Sequence, residues 1–287
     1  MSEFFNQTVK AGNSALSVEE SKLAGLQELL RTPTTQAVDV PELREARLEG
    51  CRMFHGALTD QFHALFGGGA TARSAEESYR ALRTRLLRLR SAQGLRSIVV
   101  SSAVPGEGKT LTSLNLALCC SQLQDLRLLL IDADVRTSGL SHSMGFPAGA
   151  GLVDVISGQC RPEDAILATE IPNLYVLSAG SPTTKPTELF AGQRWQEFIG
   201  WCNESFKLVL VDSPPVLDLA DVELISAACD GVLMVVRAQH AKREVLEKCA
   251  RQIDANKLLG VVYNGVERGT GGKYPYGSYV ANRKNRF

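Results

Sequence analysis

One lysine, one hydroxyl and three carboxylates carry the chemistry available to this chain. Lys109 and Thr110 close the run Ala103-Val-Pro-Gly-Glu-Gly-Lys-Thr110. An apolar stretch, Ser97-Ile-Val-Val-Ser101, precedes it, and Leu111, Leu114, Ala117 and Leu118 follow at helical spacing. Strand, glycine turn and helix start are the context of a phosphate-binding loop. Gly106 and Gly108 let the backbone approach a ligand closely, and free N–H groups at the helix start face its anionic oxygens. The cradle is expected to run through Pro105, Gly106, Glu107, Gly108, Lys109, Thr110 and Leu111. Lys109 adds a full positive charge at the terminal phosphates, and the Thr110 hydroxyl suits Mg²⁺.

The acids stand after two further apolar runs. Leu128-Leu-Leu-Ile-Asp132-Ala-Asp134-Val-Arg136 places Asp132 and Asp134 on one side of an extended chain, because strand side chains alternate. Two carboxylates this close need a cation, and nucleotide-bound Mg²⁺ would be one. Leu208-Val-Leu-Val-Asp212-Ser-Pro-Pro supplies the matching acid, able to hold the metal or its water shell. Asp218 and Asp221 follow at a helix start, where charge–dipole stabilisation explains them. Asn264, in Gly260-Val-Val-Tyr-Asn-Gly265, offers an amide that matches an adenine edge and equally suits an Asn-Gly turn.

Positioning these groups takes alternating strands and helices. Strands are expected at Ile98–Ser101, Leu126–Ile131, Leu174–Leu177, Leu208–Val211, Val232–Val236 and Leu259–Tyr263. Helices are expected near Leu111–Gln122, Leu152–Ser157, Glu188–Cys202, Val222–Ala228 and Arg243–Asp254. The pattern predicts an α/β fold, a mainly parallel sheet with helices on both faces and ligands at the strands' carboxyl ends. Ser74-Ala-Glu-Glu77 reads as a capping box opening a helix striped by Tyr79, Leu82, Leu86 and Leu89. Its arginines, Arg80 and Arg83 among them, read as a solvated face. Residues 1–71 form a partly helical or disordered extension, a docking arm or a plain appendage, with helices near Ser17 and from Pro41 to about Leu65. Gly67-Gly-Gly69 marks its boundary with a domain over 72–268.

The chain has 287 residues and zero formal net charge, so bulk electrostatics recruits neither nucleic acid nor membrane. No apolar run approaches the ~20 residues of a membrane span. The opening Met-Ser-Glu-Phe-Phe-Asn-Gln lacks the pattern of a signal peptide, which predicts a cytoplasmic protein. The seven cysteines form no Cys-x-x-Cys pair and read as reduced core thiols; the four histidines show no zinc spacing. After the hinge Gly269-Thr-Gly-Gly272, a tail over 269–287 holds Tyr274, Tyr276 and Tyr279, half of the six tyrosines in the chain. Composition alone leaves open a substrate tail or a disordered end.

From Ser74 to Phe287 these motifs resemble the bacterial tyrosine autokinases of capsule and exopolysaccharide biosynthesis, P-loop proteins related to the MinD and ParA ATPases. The resemblance rests on Pro-Gly-Glu-Gly-Lys-Thr, Ile131-Asp-Ala-Asp-Val-Arg, Val211-Asp-Ser-Pro-Pro and Glu77-x-x-Arg80-x-x-Arg83. Gly151-Leu-Val-Asp-Val-Ile-Ser-Gly and Asn173-Leu-Tyr-Val-Leu-Ser-Ala-Gly add to it. It implies ATP and Mg²⁺ as cofactors, Asp132 as the base for a tyrosine hydroxyl, and Asp134 with Thr110 and Asp212 on the metal. It also implies subunit contact through Glu77, Arg80 and Arg83, a homo-oligomer, and Tyr274, Tyr276 and Tyr279 phosphorylated in trans. The implied partners are a membrane-bound chain-length regulator as activator and a tyrosine phosphatase. Thr137-Ser138 and Pro182-Thr-Thr-Lys-Pro186 depart from the family pattern, which bears on partner contacts more than on chemistry. A MinD-like ATPase switch would carry an extra lysine where Val104 stands. Intact Lys109, Asp132 and Asp134 argue against a scaffold that binds nucleotide only to assemble with its partner.

Overall fold

The computed structural model describes residues 48, 51–54, 70–217 and 220–266, all within the compact unit Leu43–Phe287. The helix near Ser17, the Gly67-Gly-Gly69 boundary, Asp218 and the tail with Tyr274, Tyr276 and Tyr279 lie outside the described residues.

In chain order the elements are β1 (Arg52–Phe54), α1 (Ala70–Gln93), β2 (Ser97–Ser102), α2 (Lys109–Ser121), β3 (Leu128–Asp132), α3 (Gly139–Met144), α4 (Leu152–Ile156), α5 (Pro162–Ala165), β4 (Leu167–Thr169), β5 (Leu174–Leu177), α6 (Pro186–Ala191), α7 (Gln193–Ser205), β6 (Leu208–Asp212), α8 (Asp221–Ala227), β7 (Gly231–Arg237), α9 (Arg243–Ala250) and β8 (Leu258–Asn264). The strands form one sheet in the order β1-β4-β5-β3-β6-β2-β7-β8. Every neighbouring pair is parallel except β4 with β5. The expected α/β architecture therefore forms. Crossovers carry the chain from β2 to β3 on one side and, after β6, to β7 and β8 on the other. The carboxyl end of β2 thus lies where a doubly wound sheet opens a crevice.

Alternation along the strands divides the interior in two. Leu129 and Ile131 of β3, with Val209 and Val211 of β6, face a core shared with Trp195 and Phe198 of α7. Leu128 and Leu130, with Leu208 and Leu210, face a second core built on Leu114, Ala117 and Leu118 of α2 and Leu86 of α1. Strands buried on both faces read as unbroken apolar runs, which is why the sequence marked them clearly. The seven cysteines are free and five are buried. Burial pushes the Cys120 and Cys229 thiols up to about 12, which keeps them inert.

Three expectations need correction, and one strand had no expectation. Residues 52–54 are not part of a helix from Pro41 to Leu65 but a strand paired with β4, with Phe54 buried edge-on against Phe146 at 5.2 Å. A free strand edge outweighs a helical apolar pattern. Helix α1 begins at Ala70, so Ser74 lies inside it and makes no capping box with Glu77; its carbonyl accepts the Ser78 hydroxyl at 2.9 Å. Nothing in Ala-Thr-Ala-Arg halts a helix, so it extends back past Ser74. The helix expected over Glu188–Cys202 is broken at Gly192, whose backbone is extended, giving α6 and α7. The short strand β4 carried no alternation long enough to read.

Candidate active site

The loop between β2 and α2 is held from behind by its own glutamate. The Glu107 side chain is fully buried, and its Oε2 accepts the Val104 N–H at 3.0 Å while Oε1 accepts the Arg237 N–H at 3.3 Å. Glu107 can therefore serve a nucleotide only through its backbone. Gly106 and Gly108 have φ of 81° and 92°, in the left-handed region. A side chain at Gly108 would also collide with the amide of Asn264. Asn264 donates that amide to the Glu107 carbonyl at 2.9 Å, and its Oδ1 accepts the Gly265 N–H at 2.8 Å. It thus braces the loop and forms the Asn-Gly turn at once. Arg237 donates to the Gly106 carbonyl at 3.3 Å, and His240 Nε2 lies 2.9 Å from the Pro105 carbonyl. The first helical bond of α2 runs from Thr112 N–H to Gly108 O at 2.9 Å. The N–H groups of Lys109, Thr110 and Leu111 are left without helical partners, which is how a helix start binds phosphate.

Parallel pairing of β3 with β6 sets Asp132 opposite Asp212 in register. From α2, Thr110 donates its hydroxyl to Asp212 Oδ2 at 2.8 Å, and the Ser113 hydroxyl lies 3.0 Å from Asp212 Oδ1. Lys109 Nζ sits 2.9 Å from Asp134 Oδ2 and 4.0 Å from Asp212 Oδ2. Asp132 Oδ2 accepts both the backbone N–H and the hydroxyl of Ser141, at 2.8 and 2.6 Å, while its Oδ1 accepts the Asp134 N–H at 3.3 Å.

The electrostatics follow from burial. Asp132 and Asp212 are wholly inaccessible and Asp134 nearly so. Burial, helped by the charge of Asp132, pushes Asp212 up to about 7 against the pull of Lys109 and the two hydroxyls. Burial and the neighbouring Asp134 likewise hold Asp132 above the usual carboxylate range, although Ser141 opposes them. Burial would lower Lys109, but Asp212 and Asp134 outweigh it and the ammonium is held above its ordinary value. Three acids share one lysine, so the rim has a deficit of positive charge.

The family model for an AAA domain matches residues 95–258. The tyrosine-protein kinase CpsD of Streptococcus agalactiae is 31% identical over 75% of this chain and 94% of its own length. The tyrosine-protein kinase YwqD of Bacillus subtilis is 30% identical over 70% of this chain and 85% of its own. The chain belongs to the bacterial tyrosine-kinase family. The solved kinase domain of the Escherichia coli tyrosine kinase ETK superposes with a TM-score of 0.63 at 27% identity, covering 69% of this chain and 79% of that one.

In this kinase the loop is a nucleotide site, and its donors fit a Mg-nucleotide. Among the described residues, no cluster of three His, Cys, Asp or Glu side chains suits a metal by itself. Mg²⁺ takes one or two carboxylates and completes its shell with phosphate oxygens and water. Thr110, Asp134 and Asp212 are hard oxygen donors gathered around Lys109.

The remaining landmarks of the kinase have structural duties. Gly151 and Gly180 bring the ends of the two family segments into backbone contact that side chains would prevent, with Leu152 N–H and Val153 N–H donating to Ser178 O and Ala179 O. Asp154 seals this joint by accepting the Gly151 N–H at 2.8 Å, the Ser181 N–H at 3.1 Å and the Ser181 hydroxyl at 2.6 Å. Asp221 does open α8 as expected, but it also pairs with Arg136 at 2.6 Å and accepts the Thr187 hydroxyl at 2.9 Å. Arg83 is no solvated side chain; it donates to the Cys119 carbonyl at 2.6 Å and pins α1 to the end of α2. Arg80 and Glu77 are exposed and paired at 3.3 Å. Sequence reasoning missed Ser113, Ser141, Arg237 and His240 as site residues. Ser113 was findable, one helical turn after Lys109; the others carry no local signal.

Proposed function

We propose that this kinase transfers the terminal phosphate of ATP to tyrosines of a second copy, in a cycle that regulates synthesis and export of a capsular or exopolysaccharide. The convergence of Lys109, Thr110, Asp132, Asp134 and Asp212 on one rim supports this reading. Mg²⁺, held by Thr110, Asp134 and Asp212, would neutralise phosphate charge. Loop amides and Lys109 bind the phosphates, Lys109 exchanging its carboxylate partner for phosphate oxygens. Asn264 and Glu107 keep the loop in shape, and in this reading Asn264 also meets the edge of the adenine. Asp132 takes the phenolic proton as the tyrosine oxygen bonds to phosphorus and ADP leaves. Such catalysis is mostly positioning and charge stabilisation.

The acceptors in this reading are Tyr274, Tyr276 and Tyr279, on a tail beyond the domain that ends near residue 268. Each phosphate adds about −1.5 to −2 charge, and repulsion among them would loosen an oligomer built through Glu77, Arg80 and Arg83. A phosphatase would restore it. Among the described residues no helix is long and apolar enough to cross a membrane. A membrane-bound chain-length regulator suits the role of activator at the inner membrane face, and the residues that precede β1 are a segment it could use. Incubation with Mg-ATP followed by mass spectrometry tests the proposal. Phosphate on the three tail tyrosines, absent in Lys109→Met, is the expected result; ATP hydrolysis with unmodified tyrosines would overturn it.

A further inference from the structure

The carboxylate of Asp132 is held by a residue outside every motif that the sequence offers. Ser141 lies on α3, seven residues beyond Asp134. Its backbone N–H and hydroxyl both donate to Asp132 Oδ2, at 2.8 and 2.6 Å. The same hydroxyl oxygen accepts the Ala179 N–H at 3.1 Å, just past β5. The chain Ala179 N–H, Ser141 O–H, Asp132 Oδ2 thus ties together the ends of β3, α3 and β5. A carboxylate offers about four lone-pair positions. Two donors occupy Oδ2, whereas among the described residues Oδ1 takes only the Asp134 N–H, at the longer distance of 3.3 Å. The buried carboxylate therefore has one oxygen with two donors and one with a lone pair to spare, and the bond that distinguishes them is the short one from the Ser141 hydroxyl. A charge-assisted O–H bond of this length is among the stronger side-chain contacts, and a buried acid has no water to replace it.

We propose that Ser141 is a positioning residue for phosphoryl transfer: its hydroxyl fixes the Asp132 carboxylate so that Oδ1 is the atom presented to the acceptor phenol. The inference rests on the reading of Asp132 as the base. In the step, the tyrosine oxygen forms its bond to the terminal phosphorus, the bond from phosphorus to the bridging oxygen breaks, and ADP departs. The phenolic proton goes to Asp132 Oδ1. Ser141 gives up no proton and touches no reacting atom. Without its hydroxyl, the carboxylate keeps one donor on each oxygen and loses the asymmetry that orients it.

The test uses the full chain and measures the initial rate of tyrosine phosphate formation on excess Lys109→Met copies, with ATP and acceptor varied. Ser141→Ala is expected to lower kcat by about tenfold or more, a part of the ~10²–10⁴ that a general base contributes. The KM for ATP should stay near that of the parent, with rates compared at temperatures where each variant is fully folded, since the Ala179 N–H also loses its acceptor. Ser141→Thr, which keeps the hydroxyl, should return kcat to within about threefold, and Ser141→Cys, similar in size but a weak donor, should stay slow. Where alanine weakens the fold, the cysteine variant carries the comparison. Asp132→Asn, assayed alongside, separates the two ideas. If Asp132→Asn is slow while Ser141→Ala and Ser141→Cys match the parent, the role of Ser141 is overturned and the base assignment stands. A normal rate in Asp132→Asn would remove the base assignment and the purpose of Ser141 with it. A threonine variant as slow as alanine would show that the hydroxyl is not what matters.

Discussion

Two groups of buried acids in this molecule share burial and differ in their partners. Asp154 and Asp221, 5% and 1% exposed, sit at the joints of α4 and α8. Asp154 accepts three donors, and Asp221 has the Arg136 guanidinium and the Thr187 hydroxyl. At the rim of β3 and β6, Asp132, Asp134 and Asp212 are as deeply buried but share Lys109. Burial tends to raise a carboxylate pKa in both places. At Asp154 the hydrogen bonds to Ser181 and Gly151 more than reverse it, and the acid is held below its ordinary range. At Asp212 they do not, and it reaches about 7. A buried acid with a full donor set holds a fold together. A buried acid left short of positive charge is ready for a cation.

The contrast can be broken by substitution, and the largest effect belongs to the rim. Lys109→Met should cut tyrosine phosphorylation by about a thousandfold or more, read by mass spectrometry, because it removes the cation proposed to meet the phosphates. Residual transfer near the parent rate would mean that the rim charge is not used as argued. Next comes Asp154→Ala, which strips partners from the Gly151 and Ser181 amides. Urea titration should show a loss of about 2–4 kcal/mol, while kcat and the KM for ATP hold at temperatures where the variant stays folded. A variant of normal stability and poor activity would place Asp154 with the rim acids instead.

Asp212→Asn should behave in the opposite sense. A carboxyl raised from about 4 to about 7 by folding lends stability below its ordinary pKa and loses it as the pH climbs through 7. Asparagine has no such loss. The melting temperature of the nucleotide-free variant, minus that of the parent, should therefore grow from pH 5 to pH 8, even as kinase activity falls. A constant difference across that range would argue that Asp212 is already compensated. The smallest effect is expected at the exposed pair. Arg80→Ala or Glu77→Ala should change monomer stability by no more than about 0.5 kcal/mol, while sedimentation reports any weakening of the oligomer.

The core strands, the loop and the three rim acids were legible because each is written in a few adjacent residues. An apolar run ending in aspartate states both a buried strand and the charge at its end. The α1 start was misread because Ser74 and Glu77 match a capping box wherever they stand, and only the preceding residues decide whether a helix begins there. Glu107 was read as part of the nucleotide cradle, but its side chain points inward. A glutamate in a glycine loop looks the same from the sequence whether it faces ligand or protein. Arg83 shows the same ambiguity, since helical spacing places it off the apolar stripe and cannot reveal the Cys119 carbonyl within its reach.

By itself the sequence determined the class of chemistry and the sheet that carries it, since phosphate loop, acids and apolar periods are local patterns with local causes. Only the tertiary structure decided which acid meets which partner. Thr110 and Asp212 are 102 residues apart, and they meet because β2 and β6 lie side by side. Ser141 and Ala179, 38 residues apart, meet because β5 is laid beside β3. Hydrogen bonds and charge pairs act over a few ångströms and depend on strand order, which a linear pattern does not encode.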